Sequence, residues 1–407
     1  MSEILTKGTW TKVTLAQCCK EIAQRIDNPS ESGFERFVGL EHLETGETSI
    51  QHWGSTDDVT SSMKLFKTGD VIVARRNVYL RRAARADFDG VCSGDGIVLR
   101  GNPEICLPEL LSFLLNTDNF WNYVISQADG TMSKRITVNR LMAYEFTLPP
   151  LEEQRRIAEA LMTLEQTEQG YLGITELSTQ VYRSVLDNFF GHDFKARGEH
   201  APTSSRGLLW PVNKLGNLAE IRFSNVDKKA DPSEPPVELC NYMDVYLNDQ
   251  ITSAIEFMAA SASQKEIEIF QIQEGDVLVT KDSEDPLDIG VPALVLDSLD
   301  NVICGYHLAI VRPDRKRLNP LFLTHYLRST RAKCYLYQMA QGVTRFGLTN
   351  PAIRSFPIPL PLIEEQEKLA TLFDRCRNAG SVSQQKSSDI RVQKFRFLNQ
   401  KLGVLNS

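Results

Sequence analysis

Short apolar runs set off by turn residues give way to stretches of helical spacing, and this order of patterns occurs twice along the chain. Gly69-Asp70 leads into Val71-Ile72-Val73, and Gly275-Asp276 leads into Val277-Leu278-Val279; each reads as a turn feeding a short strand. Residues 91–99 and 302–311 supply a further strand each, and Glu266-Ile267-Glu268-Ile269-Phe270 alternates roughly with period two, as a half-buried strand does. Residues 108–115 with 119–127, and 320–327 with 332–340, read as helix pairs, opened by Pro108 or Pro320 and closed near Gly130 or Gly342. Behind them the spacing predicts two long helices. From 152 to 189 apolar residues fall at Ile157, Leu161, Leu164, Tyr171, Ile174, Leu177, Val181 and Val185, and from 364 to 402 at Leu369, Leu372, Cys376, Ile390, Phe395, Leu398 and Leu402. Steps of mostly three and four over more than about 25 residues suggest a coiled coil, with these stripes as the mutual core. Arg155, Arg156 and Tyr182 are then outward positions. The polar middle of the second stripe, 380–384, is less helical in character, and residues 191–207, rich in small, polar and proline residues, read as a linker.

The two pattern sets are copies. Leu148-Pro149-Pro150-Leu151-Glu152-Glu153-Gln154 recurs as Leu360-Pro361-Leu362-Ile363-Glu364-Glu365-Gln366, an offset of 366 − 154 = 212. The same offset joins Cys92 to Cys304, Arg100 to Arg312, Tyr123 to Tyr335, Gly130 to Gly342 and Ala158 to Ala370, among others. Chance identity over that window is roughly four residues. Further forward the offset falls to 206 at the Gly-Asp-Val segment, which places the length differences in the front of each copy. A period this long is a tandem domain duplication, not a solenoid. Prolines end the strand before each box, and paired glutamates suit the positive end of a helix.

A chain of 407 residues fits two domains with connecting elements. It has no run of about eighteen apolar residues, and its first residues lack the apolar core of a signal peptide, so a cytoplasmic location is expected. The eight cysteines show no Cys-x-x-Cys spacing and have no histidine at metal-ligand distance in sequence, so no metal is expected. Net charge is −7, but positive charge is local. In the first half Arg75, Arg76, Asn77, Arg81, Arg82, Lys134 and Arg135 have the side chains that read base edges or hold phosphates; in the second half Lys228, Lys229, Lys281, Arg345 and Asn350 do. The loop 282–288 of the second half is acidic and suits a structural or covering role better than phosphate contact. No phosphate-loop, dinucleotide-binding or Asp/Asn-Pro-Pro-Tyr/Phe segment is present.

Two variable β-rich domains, each followed by a Leu-Pro-x-x-Glu-Glu-Gln box and a long helix, resemble the specificity subunit of type I restriction–modification systems over residues 10 to about 403. The resemblance implies an α+β fold with a pseudo-twofold internal repeat: target recognition domains at 1–150 and 206–361, spacer helices at 151–190 and 362–407, and a linker at 191–205. It implies that the two helices pair antiparallel, and that each domain reads one half of a split double-stranded DNA target. Methyltransferase subunits, two per chain, and restriction subunits would then be the partners. S-adenosylmethionine, ATP and Mg would be bound by those partners and not by this chain. Glu152, Glu153, Gln154, Glu364, Glu365 and Gln366 would open the helices, contact the partner subunits, or both. The alternatives are a free-standing DNA-modifying enzyme or nuclease with an unrecognised site, and a two-headed adaptor that binds protein alone.

Overall fold

Val71–Ala74 is buried along its whole length because its two faces enter different cores. Val71 and Val73 join a cluster with the helices, whereas Ile72 and Ala74 join one with Val38, Phe66 and Cys92. Val277–Thr280 does the same, with Val277 and Val279 on one side and Leu278 on the other. A strand covered twice needs no polar alternation, which explains the unbroken apolar run in sequence. The computed structural model describes residues 10–191, 210–228 and 230–403.

The turn before each of these strands is a fixed device. Gly69 and Gly275 hold φ of 90° and 87°, where a side chain is strained. The aspartate that follows is buried, and both of its oxygens accept from one guanidinium. Asp70 takes Arg100 at 2.7 and 2.7 Å, and Asp276 takes Arg312 at 2.7 and 2.7 Å. A fork-to-fork pair of this kind adds geometry as well as energy. The repeated Gly-Asp and Arg of the two halves are therefore parts of one contact.

The chain forms two units. One holds the described residues up to 172 together with those from 385; the other holds the described residues between 173 and 384. In the first unit the central sheet runs in the order Cys19–Glu21, Gly96–Gly101, Val71–Ala74, Ala83–Arg85. A second sheet pairs Gly90–Cys92 in parallel with Arg36–Val38. The second unit repeats this plan. Leu308–Pro313 and Val277–Thr280 lie adjacent, and Val302–Cys304 runs parallel to Pro236–Cys240. The strand expected over 91–99 is thus two strands in different sheets, separated by the turn that Gly96 N–H closes on Ser93 C=O at 2.9 Å. The same correction applies to 302–311. In each unit the opening strand pairs antiparallel with the strand before the box: Thr11–Thr14 with Glu145–Leu148, and Val212–Lys214 with Pro357–Pro359.

Glu266 to Phe270, which alternates like a strand, lies in the helix Gln264–Phe270. Ser263 and Glu266 form a capping box there: the Glu266 carboxylate accepts from Ser263 N–H at 2.9 Å and from its hydroxyl at 2.6 Å. A satisfied helix start outweighs a weak period-two pattern over five residues. The helices Asp118–Gln127 and Thr330–Met339 end before Gly130 and Gly342, which instead turn the loops beyond them.

Both long helices are unbroken, Leu151–Phe190 with 40 residues and Ile363–Leu398 with 36, the polar stretch 380–384 included. In the first unit Ile157, Ala158 and Leu161 of the first helix share a core with Leu398 of the second. In the second unit Leu369, Ala370 and Phe373 share a core with Tyr182, Leu186 and Phe190. The expected apolar seam does not run the whole way. Ile174, Leu177 and Val181 are exposed, and Tyr182, expected outward, is buried. Small residues take over the seam here. A methyl group added to Gly380 would lie 3.4 Å from Ser178 Cβ, so the helix backbones approach closely and larger apolar residues are displaced outward. No described helix is long and apolar enough to cross a membrane.

Candidate nucleic-acid interface

The central strand of each unit runs out into a loop, and a second loop after the helix pair folds back onto it. In the first unit Ile136 N–H donates to Arg75 C=O at 3.0 Å; in the second Leu348 N–H donates to Lys281 C=O at 2.7 Å. The returning loop is closed by a reciprocal backbone pair in both. Asp129 and Arg135 exchange bonds of 3.0 and 2.8 Å, and Gln341 and Gly347 exchange bonds of 3.0 and 2.8 Å.

This docking gathers the first unit's candidates. Arg76 and Arg135 approach the carboxylate of Asp95 at 3.2 and 3.7 Å and remain half-exposed. Asn77 accepts from the Ser133 hydroxyl at 2.8 Å, tying the two loops together. Lys134 sits on the returning loop, and Arg81 is paired with Asp118 at 2.7 Å. Arg82 is different: its guanidinium donates inward to Leu40 C=O at 2.6 Å, and burial pushes its pKa down. Arg75 also keeps its Nε buried. Asn77 and Arg81 both hold positive φ, 52° and 49°, on either side of the single turn Val78–Leu80. Asparagine tolerates that conformation; arginine at φ of 49° costs on the order of 1 kcal/mol and persists because the surrounding loop imposes it.

The second unit has the same backbone with different chemistry. Residues 75–82 carry four arginines and no acid, whereas 281–288 carry Lys281 against Asp282, Glu284, Asp285 and Asp288. Lys281 donates to Ser224 C=O at 2.7 Å, with its ammonium 4.5 Å from the Tyr306 ring, and burial lowers its pKa. Arg345 bonds Asp282 at 2.9 Å, and His307 Nδ1 lies 2.8 Å from the same carboxylate. Asp285 caps Leu287 N–H at 2.8 Å, and Asp288 accepts from the Tyr246 hydroxyl at 2.6 Å. Asn350 accepts from Arg354 at 2.5 Å within its own short helix. Lys228 is exposed, and Lys229 lies outside the described residues. The docked loops of the second unit thus carry Lys281 and Arg345.

The box residues divide by role. Gln154 and Gln366 are buried and act as identical clamps. Gln154 Oε1 accepts from Leu107 N–H at 2.9 Å, and its amide donates to Ile105 and Pro149 C=O, both at 2.9 Å. Gln366 accepts from Asn319 N–H at 2.9 Å and donates to Arg317 and Pro361 C=O at 3.0 and 2.9 Å. Each clamp ties the first turn of a long helix to the segment before the helix pair. Glu152 and Glu364 are exposed or partly so, as are Glu153 and Glu365, in the first turns of their helices. Identity of the glutamine in both copies, beside the unlike Arg155 and Glu367, was the sequence signal for this clamp. Replacing Gln366 by leucine strands one N–H and two carbonyls in a buried site. A loss of about 2–4 kcal/mol is expected on denaturant unfolding, with little loss for Glu364→Ala.

The family model for the type I restriction modification DNA specificity domain matches this chain twice, over residues 9–172 and 208–391. The putative type I restriction enzyme MjaX specificity subunit of Methanocaldococcus jannaschii is 24% identical over 319 residues, covering 74% of this chain and 69% of that protein. The Escherichia coli type I restriction enzyme EcoDI specificity subunit is 28% identical over 146 residues, 35% of this chain and about a third (32%) of the relative's own length. Among solved structures, the type I restriction–modification system S subunit from M. genitalium shares the fold with a TM-score of 0.62 at 14% identity, covering 98% of both chains.

Proposed function

This chain belongs to the type I restriction–modification DNA specificity family, and we propose that it is the non-catalytic subunit through which such an enzyme reads a bipartite duplex target. One observation carries the reading. The same pair of docked loops, on the same strand, occurs in two units, and in each unit a glutamine-clamped long helix starts just after the strand that closes the repeat. Two similar readers on one polypeptide suit a target with two parts, as the two half-sites of a dimeric reader mirror its symmetry. Exposed basic groups around Asp95 hold phosphates and fix register, while other loop side chains read base edges. Methyl transfer from S-adenosylmethionine, and ATP- and Mg-dependent translocation and cleavage, fall to the methyltransferase and restriction subunits. The exposed Ile174, Leu177 and Val181 supply an apolar face on the first long helix suited to a methyltransferase subunit.

The test is co-purification with the methyltransferase, followed by mapping of methylated sites. Exchanging residues 10–150 for the same segment of a relative should change one half of the methylated sequence and leave the other half and the gap unaltered. Changes in both halves, or in neither, would refute the reading. Arg76→Ala with Arg135→Ala should weaken binding to all duplexes alike. The slope of log affinity against log salt should fall by about 0.9 for each phosphate that the variant no longer neutralises.

A further inference from the structure

The returning loops end in apolar side chains that nothing in the fold uses. Met132 is 94% exposed and Val343 is 90% exposed, the extremes among the large apolar residues described. A single exposed apolar residue is ordinary on a protein surface. Here it recurs at the tip of the same loop in two copies whose neighbouring residues have diverged. The loops read Gly130-Thr131-Met132-Ser133-Lys134 and Gly342-Val343-Thr344-Arg345-Phe346, so a threonine and an apolar residue share each tip in opposite order. Both tips are held rigidly. A reciprocal backbone pair closes each loop, and Gly130 and Gly342 take φ of 103° and 142°. At Gly342 a methyl group would overlap Arg345 C=O, so this loop shape excludes any other residue. Basic groups flank both tips: Lys134 and Arg135 in one unit, Arg345 in the other.

We propose that these tips are the apolar base readers of the two heads, Met132 with Thr131 in the first unit and Val343 with Thr344 in the second. Each packs against the 5-methyl group of a thymine in the major groove. The inference rests on the DNA-reading function proposed above. The major groove admits a narrow two-stranded ribbon, and it alone displays the thymine methyl, which methyl-bearing side chains recognise by contact. A preformed tip of this kind loses little conformational freedom on docking. Val343 and Thr344 are too short and branched to act as wedges between base pairs, so the second tip can use its methyl groups only against the groove face.

Thymine-to-uracil substitution removes that methyl group alone and supplies the test. The complex of the full chain with its methyltransferase is bound to target duplexes in which each thymine is replaced, one at a time, by deoxyuridine. One position in each half-target should weaken binding about three- to ten-fold, the size of one buried methyl or methylene contact. Met132→Ser should abolish the uracil penalty in the first unit's half and leave the other intact; Val343→Ser should do the converse. Both positions are on the surface, so the variants keep their fold. Uracil neutrality at every position, a penalty that survives both serine variants, or a half-target with no thymine on either strand would overturn the inference while DNA reading stands. A wild-type complex with no sequence preference would instead remove the reading beneath it, and this inference with it.

Discussion

Replacing Glu168 by leucine is expected to destabilise the first unit by about 3–5 kcal/mol, the cost of leaving buried charge unpaired. Glu168 is fully buried on the first long helix. Arg391 Nε lies 2.6 Å from one carboxylate oxygen, and Lys394 Nζ lies 2.7 Å from the other. Lys394 is itself buried, so it cannot turn to water when its partner is removed. Glu47 also pairs with Arg391, and the Thr48 hydroxyl donates to Glu165. Three carboxylates thus face two cations, and burial raises the Glu47 pKa despite Arg391 and Lys394. Denaturant unfolding of Glu168→Leu, Lys394→Met and the double variant measures the effect. The double variant should recover part of the loss, because removing both members of a buried pair is far cheaper than removing one. A single-variant cost below about 1 kcal/mol would show that solvent reaches the cluster.

The second unit places an ion pair where the first has a hydroxyl contact to Glu165. At the offset of 212, Glu165 corresponds to Arg377, which pairs with Asp249 on the front domain, and Asp249 also takes Arg328 at 2.9 Å. At the loops the acidic and basic members change places. Arg76 corresponds to Asp282 at an offset of 206, and Asp95 to His307 at 212. Hence the Arg76–Asp95 contact of 3.2 Å becomes an Asp282–His307 contact of 2.8 Å. A polar contact of this kind needs a donor facing an acceptor at close approach, not a fixed order of the two along the chain. Duplicated halves can therefore diverge at such pairs while their cores stay alike. Each unit also gains partners it cannot exchange with its twin, since like charges would then meet.

That divergence explains what was legible in the sequence. Residues that fill a core or force a turn, such as Val71–Val73, Gly69 and Pro149, announce themselves by type, and their repetition exposed the duplication. The Gln154 and Gln366 clamps were visible as identities but not as contacts, because Leu107 and Asn319 lie 47 residues away. The convergence of Arg76, Asn77, Lys134 and Arg135 was legible only as two separate basic clusters; the backbone pairing that joins them is long-range. Arg82 looked like its neighbours, yet the fold directs it to Leu40 C=O. The long helices were plain from spacing, but the seam was misread. Apolar periodicity assumes that the largest residues face the partner, whereas Thr175, Ser178 and Gly380 allow an approach that bulky side chains would block. The loop tips carried no signal at all, since an exposed methionine is ordinary until its counterpart is found in the other unit.

Acid is expected to weaken the second unit through one residue, His325. The ring is buried, its Nδ1 lies 2.8 Å from the Tyr182 hydroxyl, and Nε2 has no hydrogen-bond partner. Burial first, then the cations of Arg328 and Arg377, push its pKa down from 6.5 to about 3. The Asp374 carboxylate, 4.0 Å from Nε2, is too far to bond it and offset this. A histidine with a depressed folded pKa is protonated in the unfolded chain first. Its contribution is fully present above pH 6.5 and is lost progressively as pH falls from 6.5 toward 3, where the unfolded state binds the extra proton. At about 1.36 kcal/mol per unit, lowering the pH from about 7.5 to about 4.5 should cost the wild type roughly 2–3 kcal/mol more than His325→Gln. Glutamine can still meet the Tyr182 hydroxyl and does not titrate, and every other ionisable group is common to both proteins. Unfolding free energies of the two at both pH values give the difference directly. Parallel losses would mean that His325 is solvated or already charged in the fold, and that the acid response of this unit arises elsewhere.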